Sequence, residues 1–267
     1  KNTTEALNLG IKGLLRSGDH VITTSMEHNS VLRPLKSLEK FGITHSVLRA
    51  DRDGLLTAAD IEKTIRPNTK LIIVTAASNV TGGKMPIAEI GELAKRKGIF
   101  FMVDGAQGAG CMPLDVAHMH IDMLAFPGHK GLLGPQGSGG LYASPRTALR
   151  PMLEGGTGTE SKSREQPREF PEGFEAGTIN APAIIGLGRG TEFVAKIGVD
   201  VIARYEEELI SYLDASLDEM PGVLRYGPPA GKKTGITLFN IEGLPAEEVT
   251  ATLNNQYGIA VRGGYHC

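Results

Sequence analysis

Lys130 stands between His129 and Gly131, behind the apolar stretch MLAF (123–126) and ahead of the glycine-rich run GLLGPQGSGG (131–140). An ammonium is costly to take out of water unless its charge is lost or paired. Glycine on both sides, Gly128 and Gly131, lets another group approach the backbone closely. Two readings are open: a solvated loop lysine, or an amine held for its chemistry. Other chemistry-bearing residues recur along the chain: Asn2-Thr3-Thr4, Glu27-His28, Ser78-Asn79 and Asp104 to Gln107. Each has a plain structural explanation alone, as a helix cap, a turn residue or a satisfied histidine. Together they comprise a helix N-terminus ready for an anion, an acid closing an apolar segment, an aromatic ring and an amine.

The elements that must position these residues follow from the periodicity. Strand patterns at 20–25, 44–50, 69–78, 99–107, 122–128 and 137–144 alternate with helical patterns at 30–42, 57–65 and 86–98; Asn2 with Glu5 marks a capped helix start. This alternation predicts an α/β chain with a mostly parallel sheet covered by helices on both faces. In such sheets ligands sit at the carboxyl ends of the strands, and each of these groups falls next to a predicted strand or helix terminus. Residues 154–178 are polar and rich in Gly and Pro, and predict a long loop. Residues 182–220 predict helix with a break at Gly198. Segments 235–241, 246–258 and 259–264 then predict a strand–helix–strand unit.

Composition narrows the function classes. The 267 residues carry 28 Lys plus Arg against 30 Asp plus Glu. A formal charge of −2 offers no electrostatic reason for nucleic acid or an anionic membrane as partner. No apolar run has the length of a membrane span. Two cysteines, Cys111 and Cys267, make no disulfide framework and predict a reducing, cytoplasmic setting. The glycines of GLGRGT (186–191) lie inside a helical region rather than after a strand, against a dinucleotide fingerprint, and His118 and His120 lack the companions of a metal site, so no metal is expected.

Pyridoxal 5'-phosphate (PLP) needs the combination seen here. Its aldehyde requires a lysine amine, its ring nitrogen an ionised carboxylate that keeps it protonated, and its phosphate a set of backbone and hydroxyl donors. Asp104 and Lys130, at the ends of separate strands, match the first two demands. The ordered motifs NTTEALN, MEHNSVLRP, SNVTGG, VDGAQ, GHKGLLGPQGSGGLY, FEAGT and VRGGYHC span essentially the whole chain, which resembles the cysteine desulfurase branch of the class V aminotransferases. The resemblance implies fold type I of the PLP enzymes, with a large PLP-binding domain over 1–185 and a linking helix plus partial small α+β domain over 186–267. It implies that Lys130 forms the Schiff base, Asp104 pairs with the ring nitrogen, and His28 stacks on the ring. Asn79 and Gln107 would approach the phenolic oxygen. Thr3, Thr4 and His129 would bind the phosphate, and Thr178 the phosphate of a neighbouring subunit in a homodimer with shared sites. Cys267 would take sulfur from L-cysteine as a persulfide, leaving L-alanine and serving an acceptor protein, while Arg262 would help hold the substrate carboxylate. An aminotransferase, a selenocysteine or cystine lyase, or a non-catalytic scaffold of the same fold are the alternatives.

Two departures from the family pattern stand out. Pro127 occupies a position that commonly holds serine or threonine, which removes a hydroxyl and a backbone N–H. The chain also opens on KNTTEAL and closes on VRGGYHC, and is expected to be cut at both ends relative to the family.

Overall fold

A computed structural model describes residues 1–160 and 162–266. Six strands, β1 (His20–Thr24), β2 (Thr44–Leu48), β3 (Thr69–Thr75), β4 (Phe100–Asp104), β5 (Met123–Pro127) and β6 (Gly139–Ala143), form one sheet in the order β2-β1-β3-β4-β5-β6. All neighbours are parallel except β6, which runs antiparallel beside β5, so the sheet is mostly parallel as expected. The period of two along a strand explains why β3 reads as an unbroken apolar run. Leu71 and Ile73 face one layer, made by α1 (Thr3–Leu14) and α2 (Asn29–Leu38) through Leu7, Ile11, Val31 and Leu35. Ile72 and Val74 face the other, where α4 (Ile87–Lys97) contributes Ile90 and Leu93 and α3 (Ala58–Glu62) contributes Ile61.

Close approach of α4 to the chain before β5 depends on Gly91. A Cβ there would overlap the carbonyl oxygen of Met119 and press on Phe101. Gly91→Ala is therefore expected to destabilise the fold by about 1–3 kcal/mol, read as a lowered midpoint in urea denaturation.

The helical region breaks where expected: α5 (Ala181–Ile197) ends at Gly198, whose φ is 93°, and α6 (Val199–Asp218) follows at once. The glycines of GLGRGT have a packing role. A Cβ on Gly190 would overlap the carbonyl of Leu132, and one on Gly186 would lie 2.6 Å from the Pro135 ring. These small residues seat α5 on the loop that follows Lys130.

The last unit differs from the sequence expectation. Strand β8 (Leu238–Ile241) pairs antiparallel with β7 (Val223–Tyr226), a strand the periodicity did not reveal, and α7 (Ala246–Tyr257) follows. Residues 259–264 form no strand. Alternating Ile259 and Val261 are half or more than a third exposed, and Gly263 packs on the first turn of α7 near Ala246 and Thr250. An apolar alternation becomes a strand only when a paired backbone accepts it. Beneath the hairpin, Lys233 is fully buried, with Nζ 2.9 Å from Oδ1 of Asp214 and 3.1 Å from Oγ1 of Thr237. The same segment is tied to the 78–84 turn, where Lys84 N donates to Lys232 O and Thr234 N to Gly82 O. Among the described residues no helix is long and apolar enough to cross a membrane.

Candidate active site

At the carboxyl ends of β1, β3, β4 and β5, facing the N-terminus of α1, lies a cleft lined by Asn2, Thr3, Thr4, His28, Ser30, Thr75, Asn79, Asp104, Gln107, Pro127, His129 and Lys130, among others. Eight sequence-predicted residues thus share one cavity: Thr3, Thr4, His28, Asn79, Asp104, Gln107, His129 and Lys130. Two do not line it. Arg262 is exposed and lines a neighbouring groove with Val261, Leu238 and His266; Asn79 lies in both, so the two cavities meet there. Thr178 is exposed ahead of α5. Cys267 lies outside the described residues.

Each wall has a local cause. Asn2 caps α1, its Oδ1 accepting from Glu5 N at 2.9 Å, so the N–H groups of Thr3 and Thr4 are left without partners inside the helix and point off its end. That end attracts an anion. His28 is the N-cap of α2, and its Nδ1 accepts from Ser30 N at 3.1 Å. Ser78 builds the turn carrying Asn79 by accepting from Val80 N and Thr81 N, both at 3.2 Å. Asp104 ends β4, and its Oδ1 accepts from Ala106 N at 2.9 Å. The glycines flanking the His129–Lys130 pair are steric necessities. A Cβ on Gly128 would overlap Oγ of Ser138, and one on Gly131 would stand 2.5 Å from the Ala109 carbonyl and 2.6 Å from Sγ of Cys111. Lys130 itself is exposed at the cleft mouth, not buried.

Asp104 and His28 in the cleft, and Glu27 buried behind it, are perturbed. Asp104 is buried, and its carboxyl is pushed up to about 6 by loss of water, opposed by the Ala106 N–H and the Lys130 charge. Burial, then the charges of Lys130 and Arg33, hold His28 below the usual imidazole range. Glu27, one residue before it, is pushed up to about 8 by burial and by the nearby Asp104, against the Thr24 hydroxyl and the Thr75 N–H. Its Oε1 accepts from both, at 2.7 and 3.0 Å, while its buried Oε2 has no hydrogen-bond partner.

Glu27 and Asp104 shape the pH dependence of stability. Both keep their protons in the folded state above the pH at which an unfolded chain loses them, so the native state binds more protons in that window. These two groups contribute a loss of stability as pH rises, with a slope of ~1.4 kcal/mol per pH unit for each such proton. Below about 6.5 it is offset by His20 and His28, whose burial-depressed imidazoles act with the opposite sign, so the fall is expected to show mainly from about 6.5 to about 8, where Glu27 carries it. Glu27→Gln is expected to flatten the upper part of that decline, measured by urea denaturation at a series of pH values.

The donor set fits PLP. A buried carboxyl whose ionised form lacks water calls for a cationic partner, which a protonated ring nitrogen supplies. The end of α1 suits a phosphate, and His28 and Lys130 offer a flat ring and an amine on the same cavity. Sequence reasoning assigned no role to Ser30, Thr75 or Glu27. For Ser30 a signal existed in its position two residues after His28, where a hydroxyl folds back on a capping side chain.

The Aminotransferase class-V family matches residues 1–267. A probable cysteine desulfurase of Methanothermobacter thermautotrophicus is 38% identical over 272 residues, covering 100% of this chain and 68% of that protein. The apo structure of a cysteine desulfurase from Thermococcus onnurineus superposes with a TM-score of 0.93 at 38% identity, over 100% of this chain and 68% of the other. The cystine C–S lyase C-DES, solved in complex with its product cysteine persulfide, superposes with a TM-score of 0.87 at 26% identity over 98% of this chain and 72% of its own. A further C-DES structure carries glycine covalently linked to its PLP cofactor. With the motifs in order, the sheet topology and the cleft all agreeing with that match along its whole length, the chain belongs to the class-V aminotransferase family.

Proposed function

We propose that the cleft holds pyridoxal 5'-phosphate and that the protein is a cysteine desulfurase, converting L-cysteine to L-alanine with the sulfur passing to Cys267 as a persulfide. The observation that carries this reading is the convergence of buried Asp104, His28, Lys130 and the N-terminus of α1 on one cavity, in a chain 38% identical to a probable cysteine desulfurase. When bound, the cofactor supplies an electron sink for the substrate's Cα electrons. Asp104 holds the positive charge at the ring nitrogen, and that charge in turn favours its ionised form. His28 covers one ring face, and Asn79 and Gln107 supply amide groups toward the phenolic oxygen. The N–H groups at the start of α1, with the Thr3 and Thr4 side chains and His129, hold the phosphate. Lys130 Nζ is the amine that would hold the cofactor's aldehyde and would carry the substrate's Cα proton. Arg262, in the adjoining groove that meets the cleft at Asn79, assists the substrate carboxylate. Cys267, as thiolate, takes the substrate sulfur and later delivers it to an acceptor protein.

Thr178 belongs to this reading through a second subunit. It is exposed and does not line the cleft of its own chain, as a residue reaching a neighbour's phosphate in a homodimer must be. The two cysteines and absence of a disulfide framework favour a cytoplasmic setting.

The likeness to C-DES favours one second reading, a carbon–sulfur lyase, which needs no Cys267. Assaying sulfide, alanine and pyruvate after adding L-cysteine with a thiol reductant, and pyruvate after adding L-cystine without one, separates them. Equal sulfide and alanine from L-cysteine support the desulfurase, and pyruvate from either substrate supports the lyase. No product from a PLP-loaded full gene product would overturn both.

A further inference from the structure

Thr4 Oγ1 lies 2.8 Å from Ser30 Oγ, and Ser30 Oγ lies 2.8 Å from Nδ1 of His28. The same Nδ1 is 3.1 Å from the backbone N of Ser30. A backbone N–H can only donate, so Nδ1 must accept and carries no proton. The hydroxyl of Ser30 therefore donates to Nδ1 as well. Having spent its single proton there, Ser30 can meet Thr4 only as an acceptor, so the Thr4 hydroxyl donates to Ser30. The chain of three groups has one direction, from Thr4 through Ser30 to His28.

We propose that Ser30 is a positioning residue whose hydroxyl relays Thr4 onto Nδ1 of His28 and locks the imidazole over the cleft as the neutral Nε2–H tautomer. Ser30 is buried and lines the cleft, where water competes poorly for its hydroxyl. Its bond is the shorter of the two that Nδ1 accepts, and the only one that ties the ring to α1. The charged groups facing His28, Lys130 and Arg33, are both cations and oppose its protonation. His28 thus offers a donor at Nε2, while Nδ1 is closed to service as a base.

The order of donors also separates two jobs. An anion at the start of α1 can accept a hydrogen bond from the Thr4 hydroxyl, because Ser30 still donates to His28 when Thr4 turns away. Anion binding then leaves the tautomer of His28 untouched. The lock is a property of the unloaded protein, and only its use in holding a ring rests on the PLP reading, so the two fail separately.

NMR of the protein labelled with 15N in its histidine rings tests the lock, with His28→Gln identifying the His28 signals. The unmodified protein at neutral pH is expected to show His28 protonated on Nε2 alone. Ser30→Ala leaves only the backbone donor and is expected to lower the ratio of Nε2–H to Nδ1–H by about fivefold, seen as a shift of both averaged 15N signals, on the scale of one lost hydrogen bond. Ser30→Thr should restore the original pattern, and Thr4→Val should keep His28 on Nε2–H. The six other histidines serve as a control for folding. A proton on Nδ1 in the unmodified protein, or His28 signals unmoved by Ser30→Ala, would overturn the proposal.

Discussion

Lys130→Ala is expected to abolish the visible absorbance of the purified protein and to lower turnover of L-cysteine by at least ~10³-fold, the scale of losing a positioned proton-transfer group together with the covalent anchor. The basis is positional. Lys130 is the lysine that lines the cleft shared by Asp104 and His28, and its charge acts on both. Neither Lys84 nor Lys97 lines that cleft: Lys84 sits in the turn paired with residues 230–236, and Lys97 bonds Glu62 at the end of α4. Borohydride reduction of the loaded protein followed by peptide mapping should place the cofactor on the peptide holding Lys130. A label on Lys84 or Lys97 would refute the assignment. Because Lys130 is exposed at the cleft mouth, its removal should leave the urea midpoint nearly unchanged when both proteins are compared free of cofactor, which separates lost chemistry from lost folding.

Cys267→Ser is expected to leave cofactor binding and Cα proton exchange intact while reducing sulfur release from L-cysteine by about three orders of magnitude or more. Serine nearly matches the thiol in shape but forms no persulfide, whereas cofactor binding depends on Lys130, Asp104 and the start of α1. The measurement belongs in the full gene product carrying this sequence, since the chain spans about two thirds of the length of the relatives it matches (68% of the first). Deuterium incorporation at Cα, followed beside sulfide release, distinguishes a dead site from one lacking only its sulfur acceptor. Sulfide release at the unmutated rate would exclude transfer through Cys267 and leave the lyase reading in its place. The other cysteine, Cys111, is a poor substitute: burial and the nearby Glu206 push its thiol up to about 11, so little thiolate exists at neutral pH.

What could be read from the amino-acid order alone was whatever depends on short-range pattern. The apolar runs of β3 and β4, the helical stripe of α1 and the break at Gly198 are written in neighbours a few positions apart, and each appears where the pattern put it. The candidate site was legible for the same reason. Parallel strands all end on one side of the sheet, so residues just after β1, β3, β4 and β5 must gather there however far apart they lie in the chain. The motif order carried the rest, including the roles suggested for Thr178, Arg262 and Cys267.

Tertiary structure alone decided the remainder. Strand β7 and the loop at 259–264 were misjudged because pairing, not alternation, makes a strand, and the partner of β8 lay before it in sequence rather than after. The glycines of GLGRGT proved to be contact points for α5 on the loop after Lys130, a fact set by a helix–loop distance. The proton inventory of the site was equally hidden. A glutamate pushed up to about 8 at Glu27 and an aspartate pushed up to about 6 at Asp104 depend on how completely packing removes water around them. The relay from Thr4 through Ser30 to His28 joins residues 26 positions apart, because α1 and α2 lie side by side on one face of the sheet. Sequence spacing chose which groups reach the cleft; burial and the direction of each hydrogen bond decided what charge and which proton each of them holds there.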